Sequence, residues 1–216
     1  MTGLTFIDDR SISLTMKRDA RLAILEAGAD LVHRQGFNNT GIKEILDAAG
    51  VPKGSFYFYF PSKEAFGLAL IEHFRDTRSA LIEAVLGDVS LPPLVRLRRF
   101  FEGARGRYLE WNCERGCPFG NLAQEMADLS PEMRQALKAV LDALSVRIGA
   151  VLEEARQRGE LAPGLDPQET ASFVMDAFEG ALLRMKTQKD IEPLARLERM
   201  LFTHLLPAQD KGDCPG

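Results

Sequence analysis

Long apolar runs are missing from this chain of 216 residues. None approaches the roughly 18 residues that a membrane-spanning helix needs, so no membrane association is expected. Cysteine is scarce, with only Cys113, Cys117 and Cys214. An odd, sparse set speaks against a disulfide framework and for a reducing cytosol, so a cytoplasmic location is expected. Histidine is also rare. His33, His73 and His204 are scattered, and none has ligand spacing to a cysteine, so no metal site and no cofactor are expected. There is no glycine-rich phosphate loop, no nucleophile elbow and no paired-carboxylate metal motif, which removes the commonest enzyme signatures. Strand-like alternation, internal repeats and low-complexity tracts are absent too. The first residues, MTGLTFIDDRSISLTMKRD, lack the basic start and apolar centre of a signal peptide.

What is present is helical. Hydrophobic residues make up 45% and charged residues 27%, enough for a real core without covalent staples. The spacing predicts an all-α protein of about nine helices. The first runs from about Met16 to Gln35 and ends at Gly36, a C-cap glycine. Thr40 caps a short helix over Gly41–Ala49. Gly50 and Pro52 punctuate, and a very short helix covers Lys53–Phe58. Ser62 opens a long helix reaching about Leu86, with Glu64 in its first turn, where the dipole favours an acid. Further helices are predicted over Leu91–Asn112, Cys117–Ala127, Ser130 to near Gly159, Pro167–Thr187 and Glu192–Leu206. Asp166-Pro167-Gln168-Glu169 joins a cap, an N1 proline and a capping-box acid. The expected division is residues 16–62, a three-helix head, and 63–206, a helical body. Residues 1–15 and 207–216 are expected to be loose tails.

Charge is uneven. The net charge is −4, yet Lys17 to Lys63 holds seven bases against five acids, leaving +2 there and −6 elsewhere. A mildly basic head sits on an acidic body.

The head carries the densest signal, VPKGSFYFYFPSKEAF over residues 51–66. Two short helices joined by a tight turn at Gly50-Val51-Pro52 have helix-turn-helix spacing. Ile42, Ile45, Val51 and Phe56 suit the angle between them, and Phe56 and Phe60 suit the core. The remaining groups suit a duplex. Tyr57 and Tyr59 offer hydroxyls to phosphates or base edges. Lys53 neutralises a phosphate. Gly54 leaves room for a backbone, and Ser55 is small enough for the major groove. Lys63 adds a charge at a helix N-terminus, and Thr40 offers a hydroxyl on the other side. Lys43 and Arg34 read as solvated surface charges.

The run GFNNTGIKEILDAAGVPKGSFYFYFPSKEAF resembles the DNA-binding segment of TetR-family regulators, over roughly Arg18 to Phe66. The resemblance rests on Gly36-Phe37, Ala49-Gly50-Val51, Gly54-Ser55-Phe56-Tyr57, Tyr59-Phe60 and Ser62-Lys63-Glu64. Gly41, Leu46 and Phe58 depart from the usual Thr or Ser, Ala, and His or Tyr. An apolar ring at Phe58 suits a thymine methyl. The resemblance implies a homodimeric regulator, most simply a repressor. It would bind a palindromic double-stranded DNA operator and leave it when a small-molecule effector enters the body. It also implies that SFVMDAFEGALLRMK and EPLARLERMLFTHLL pair across the dimer as a four-helix interface.

For the effector, Trp111, Cys117, Phe119, Asn121, Gln124, Phe178 and Glu179 are the candidate contacts. The aromatics supply apolar walls, and polar groups on apolar helices need partners if buried. Phe100, Phe101, Tyr108, Met126, Met133 and Phe173 are further wall candidates, and Glu125, Asp176 and Arg184 further polar ones. Cys117 precedes Pro118 at a helix start, with Arg115 two residues away, a setting that favours a thiolate. RGCPFGNLAQEM resembles a segment of TetR-type regulators that answer acrylate-type or electrophilic compounds. The implied effector is a small unsaturated or electrophilic molecule, with Cys117 as its sensor. Two other classes fit the same residues: a helical ligand or redox sensor acting through protein partners, and a Cys117-dependent enzyme acting on electrophiles.

Overall fold

A computed structural model describes the backbone of residues 9–207 and side chains from residue 20 onward. Among these the chain is all helical. The elements are α1 (Asp9–Gln35), α2 (Ile42–Ala49), α3 (Phe56–Tyr59), α4 (Lys63–Leu86), α5 (Pro93–Glu110), α6 (Pro118–Met126), α7 (Pro131–Gln157), α8 (Pro167–Gln188) and α9 (Glu192–Met200). A π-helical turn, Leu201–Leu205, ends the series.

The caps explain most of these limits. The Ser62 hydroxyl accepts the Ala65 N–H at 2.9 Å. Ser130 accepts that of Met133 at 3.1 Å, and Asp166 that of Glu169 at 2.7 Å. Gly36 and Gly50 take positive φ, 91° and 66°, where a side chain would strain the backbone.

Three expectations need correction. α1 begins at Asp9, so residues 9–15 are helix and not a loose tail. No glycine or proline interrupts this stretch. Residues 1–8 and 208–216, with Cys214, lie outside the described residues. α3 is shorter than predicted, because Lys53 and Gly54 belong to a turn closed by Ser55 N–H on the Pro52 carbonyl at 2.9 Å. α2 starts at Ile42, with Gly41 as its cap and no side-chain bond there.

Two apolar cores result. One joins Ile24, Ile45, Phe56, Phe60 and Phe66 to Leu122, Met133 and Leu137, so α6 and α7 help build the inside of the head. The other lies among α5, α7, α8 and α9, around Leu97, Phe101, Val151, Phe178 and Leu182. Cys117 packs against both. Close approach is needed where α4 crosses the head. A Cβ on Gly67 would lie 2.9 Å from the Phe37 ring and from the Met133 methyl.

Candidate DNA-reading head and effector cavity

In the head, packing divides the aromatic run cleanly. Phe56 and Phe60 are buried, and Phe56 meets Phe60 and Phe66 with ring centroids 5.5 Å apart. Ile45 is buried, while Ile42 and Val51 are half-buried. Tyr57 and Phe58 stand outward, 65% and 66% exposed. Both rings lie on the outer face of the head, beside a well-filled core. Lys53 and Gly54 are exposed, and Ser55 and Tyr59 half-buried. A Cβ on Gly54 would meet nothing within 4 Å.

Two predicted DNA contacts are placed otherwise. Thr40 is fully buried, and its hydroxyl donates to the Gly36 carbonyl at 2.6 Å. It closes the turn between α1 and α2 and offers nothing to a phosphate. The Lys63 ammonium is half-buried, donates to the Asn38 carbonyl at 3.3 Å, and lies 5.0 Å from the Phe37 ring centre. Burial lowers its pKa. Helical spacing did not reveal that the α1–α2 turn folds back over both residues. Lys43 does point to solvent, paired with Asp47 at 2.6 Å.

The body grips the same turn. The Glu125 carboxylate, on α6, accepts the N–H groups of Phe37 and Asn38 at 2.9 and 2.8 Å. A Cβ on Gly36 would come 2.8 Å from that carboxylate. Arg115 pairs with Asp30 of α1 at 2.8 Å, and Glu64 bonds the Ser130 hydroxyl. His33, buried on α1, donates its Nε2–H to the Gly116 carbonyl at 2.6 Å. Burial lowers its pKa to about 4, so the ring is neutral at physiological pH.

Beside these contacts lies a cavity of about 320 Å³, lined by Cys117, Gly120, Asn121, Gln124, Glu179 and Lys186, among others. Four of the seven expected effector contacts are therefore together: Cys117, Asn121, Gln124 and Glu179. The three aromatics are elsewhere. Phe119 is buried against Phe74, Phe178 against Phe101, and Trp111 packs on His33 and Tyr108. Rings at helical spacing fill core first, and these do. A wider groove of about 570 Å³ runs between α6, α7 and α8, past Arg134, Lys138 and Asp176. Sequence reasoning missed it because its mixed apolar and polar walls come from three helices that only the fold brings together. Glu179 borders both spaces.

The expected activation of Cys117 is not found. Its sulfur caps α6, accepting the Gly120 N–H at 3.5 Å. Burial, then the Glu179 carboxylate, push the thiol pKa up. Arg115 cannot help, since its guanidinium is turned to Asp30 and to the face of Trp111, 5.4 Å away. Glu179 itself is pushed up by burial. Cys113 and Cys117 are both free thiols.

A helix-turn-helix head with outward rings, bolted to a helical body with a small polar cavity, defines a ligand-responsive DNA-binding regulator. The comparisons agree. The profile of bacterial regulatory proteins of the tetR family matches residues 24–70, and that of the tetracyclin repressor-like C-terminal domain matches residues 93–201. The chain is 39% identical to the transcriptional regulator AcuR of Cereibacter sphaeroides over 87% of each chain. It is 32% identical to the HTH-type transcriptional repressor DhaR of Mycobacterium sp. strain GP1, over 88% of this chain and 94% of that one. A crystal structure of regulatory protein TetR from Rhodobacter sphaeroides superposes with a TM-score of 0.81 at 39% identity, covering 86% of this chain and 98% of that one. The chain belongs to the TetR family and is a transcriptional regulator.

Proposed function

We propose that the protein is a homodimeric repressor whose two heads sit on successive major grooves of a palindromic operator. A small molecule bound in the α6–α8 cavity releases it. The observation that carries this reading is the double duty of α6. Cys117, Gly120, Asn121 and Gln124, at its start and along it, line the cavity. Glu125, one residue on, holds the turn that supports α2. A ligand that prefers a shifted α6 biases the head by its difference in affinity for the two positions. Heads that must lie about 34–36 Å apart tolerate little of that shift.

Pairing of subunits is supported by apolar groups left in water on the last two long elements. Phe173 and Leu183 on α8 are 60% and 49% exposed, and Met200 at the end of α9 is 53% exposed. The cytoplasm is where such a repressor meets DNA. No helix among the described residues is long and apolar enough to cross a membrane.

The direct test is fluorescence anisotropy with duplexes taken from beside the protein's own gene. One duplex is expected to bind at least about a thousandfold tighter than scrambled DNA. Affinity that is salt-sensitive but equal for all sequences would remove the repressor reading. In the same assay Lys53→Ala is expected to weaken every duplex alike, by about three- to tenfold. It should also lower the slope of log affinity against log salt by about one for each head.

The raised pKa of Cys117 turns the effector reading toward reversible binding. Each unit of upward shift removes about nine-tenths of the thiolate at neutral pH. Iodoacetamide at pH 7.5 is therefore expected to alkylate Cys117 at least about tenfold more slowly than free glutathione, followed by mass spectrometry. An equal or faster rate would restore the covalent-sensor view.

A further inference from the structure

Burial divides α8 into three sides. Val174, Met175, Phe178, Leu182 and Met185 face the core. Gln168, Ser172, Glu179 and Lys186 face the two spaces beside α6. Phe173, Asp176, Gly180, Leu183, Arg184 and Thr187 are open to solvent. At about 100° per residue, the other five of these fall within about 60° of Gly180 around the helix, so they form one stripe. Phe173 and Leu183 are its exposed apolar groups. Asp176 and Arg184 are its charges, and among the described residues neither charged group has a hydrogen bond or an ion pair within the subunit. The two charges stand four places to either side of Gly180. A second α8 laid antiparallel across Gly180 therefore brings Asp176 beside the partner's Arg184, and Arg184 beside the partner's Asp176. A parallel alignment would set like charges together.

Resting on the homodimer reading above, we infer that two copies pair through this stripe, antiparallel about Gly180, and that each subunit closes the other's effector cavity with Phe173. A two-fold contact needs a surface that complements itself, so that one residue meets a second and the second meets the first. The stripe meets that demand in charge, and like charges face to face would be costly. Gly180 has no side chain at the crossing, so the two backbones can come close. Phe173 and Thr187 stand seven places to either side of it, which sets the partner's Phe173 over Thr187. Thr187 and Leu183 are walls of the 320 Å³ cavity, and both are exposed in a single subunit. The arriving ring covers that edge, as aromatic anchors do at the centre of interfaces. The effector site is then complete only in the dimer, and whatever fills it is linked to the pairing of subunits.

The pairing is tested by cross-linking full-length protein that carries Cys214→Ser. Positions 173 and 187 are about 21 Å apart along one α8, too far for a disulfide within a subunit. Phe173→Cys and Thr187→Cys together are expected to give a covalent dimer on mild oxidation, whereas each alone stays at the background of the parent protein. Asp176→Arg and Arg184→Asp should each raise the dimer dissociation constant at least about tenfold in sedimentation, and the double swap should return it to within about threefold. The closure is tested with iodoacetamide. At a concentration where its mass by light scattering is that of a dimer, Phe173→Ala should be alkylated at Cys117 at least about threefold faster than the parent, followed by mass spectrometry. Phe173→Leu takes its place if alanine breaks the dimer. No covalent dimer from the cysteine pair, as much from either cysteine alone, or a double swap no better than the single ones would overturn the pairing. An unchanged alkylation rate would overturn the closure. Operator anisotropy on the wild-type protein separates the two readings. A dimer that prefers one duplex but fails these tests sinks the inference alone, whereas a monomer, or a protein with no preferred duplex, sinks the homodimeric repressor.

Discussion

Tyr57→Ala is expected to lower operator affinity at least about thirtyfold while leaving the fold and the dimer untouched. Tyr57 is 65% exposed, so little packing is lost on truncation, and substitutions of that kind stay within about 0.5 kcal/mol of stability. In the proposed operator complex the ring and hydroxyl would meet the duplex. A good contact to a base edge is worth about 1–3 kcal/mol of discrimination. A dimer carries the residue twice, so the losses compound to about 2–6 kcal/mol. Affinity for scrambled DNA should hardly change, since Lys53 and the helix ends still meet phosphates. Anisotropy with both duplexes and light scattering for mass check this. Unchanged operator affinity would show that the exposed ring is not a reading residue.

One position earlier, the opposite result is expected. Phe56→Ala should unfold the head. Phe56 is 0% exposed and packs against Phe60, Phe66 and the ring of Tyr57. A buried Phe→Ala change costs about 3–5 kcal/mol. That is a large part of the total stability of a typical domain, about 5–15 kcal/mol. Urea unfolding should show a lower midpoint, and operator and scrambled DNA should be lost together. The pair separates reading from support. Tyr57→Ala removes specificity at constant stability, whereas Phe56→Ala removes both.

The helices were legible because caps and breakers are local. Ser62, Ser130 and Asp166 each accept the amide three residues on, and the sequence writes that pattern directly. The inside-outside split of the aromatic run was legible for the same reason, since a few residues around a tight turn leave few ways to pack. The site was less so. Thr40 and Lys63 have partners that spacing could not show, the Gly36 and Asn38 carbonyls, brought to them by a turn whose path depends on α6. Cys117 was misread because helix-start chemistry is local, whereas its burial and its neighbour Glu179 come from α8. Glu125 was noted as a polar residue in search of a partner. Only the fold shows that the partner is the head.

That last contact has a mechanical meaning. α6 is nine residues long, so at about 1.5 Å per residue it spans roughly 13 Å. Cavity wall and grip on the head occupy a single rod, so in the proposed mechanism a message between them has no chain of intermediaries to cross. Evolution could therefore retune what the protein detects by exchanging side chains at one edge of that rod, while the edge that clasps the Phe37 and Asn38 amides stays as it is.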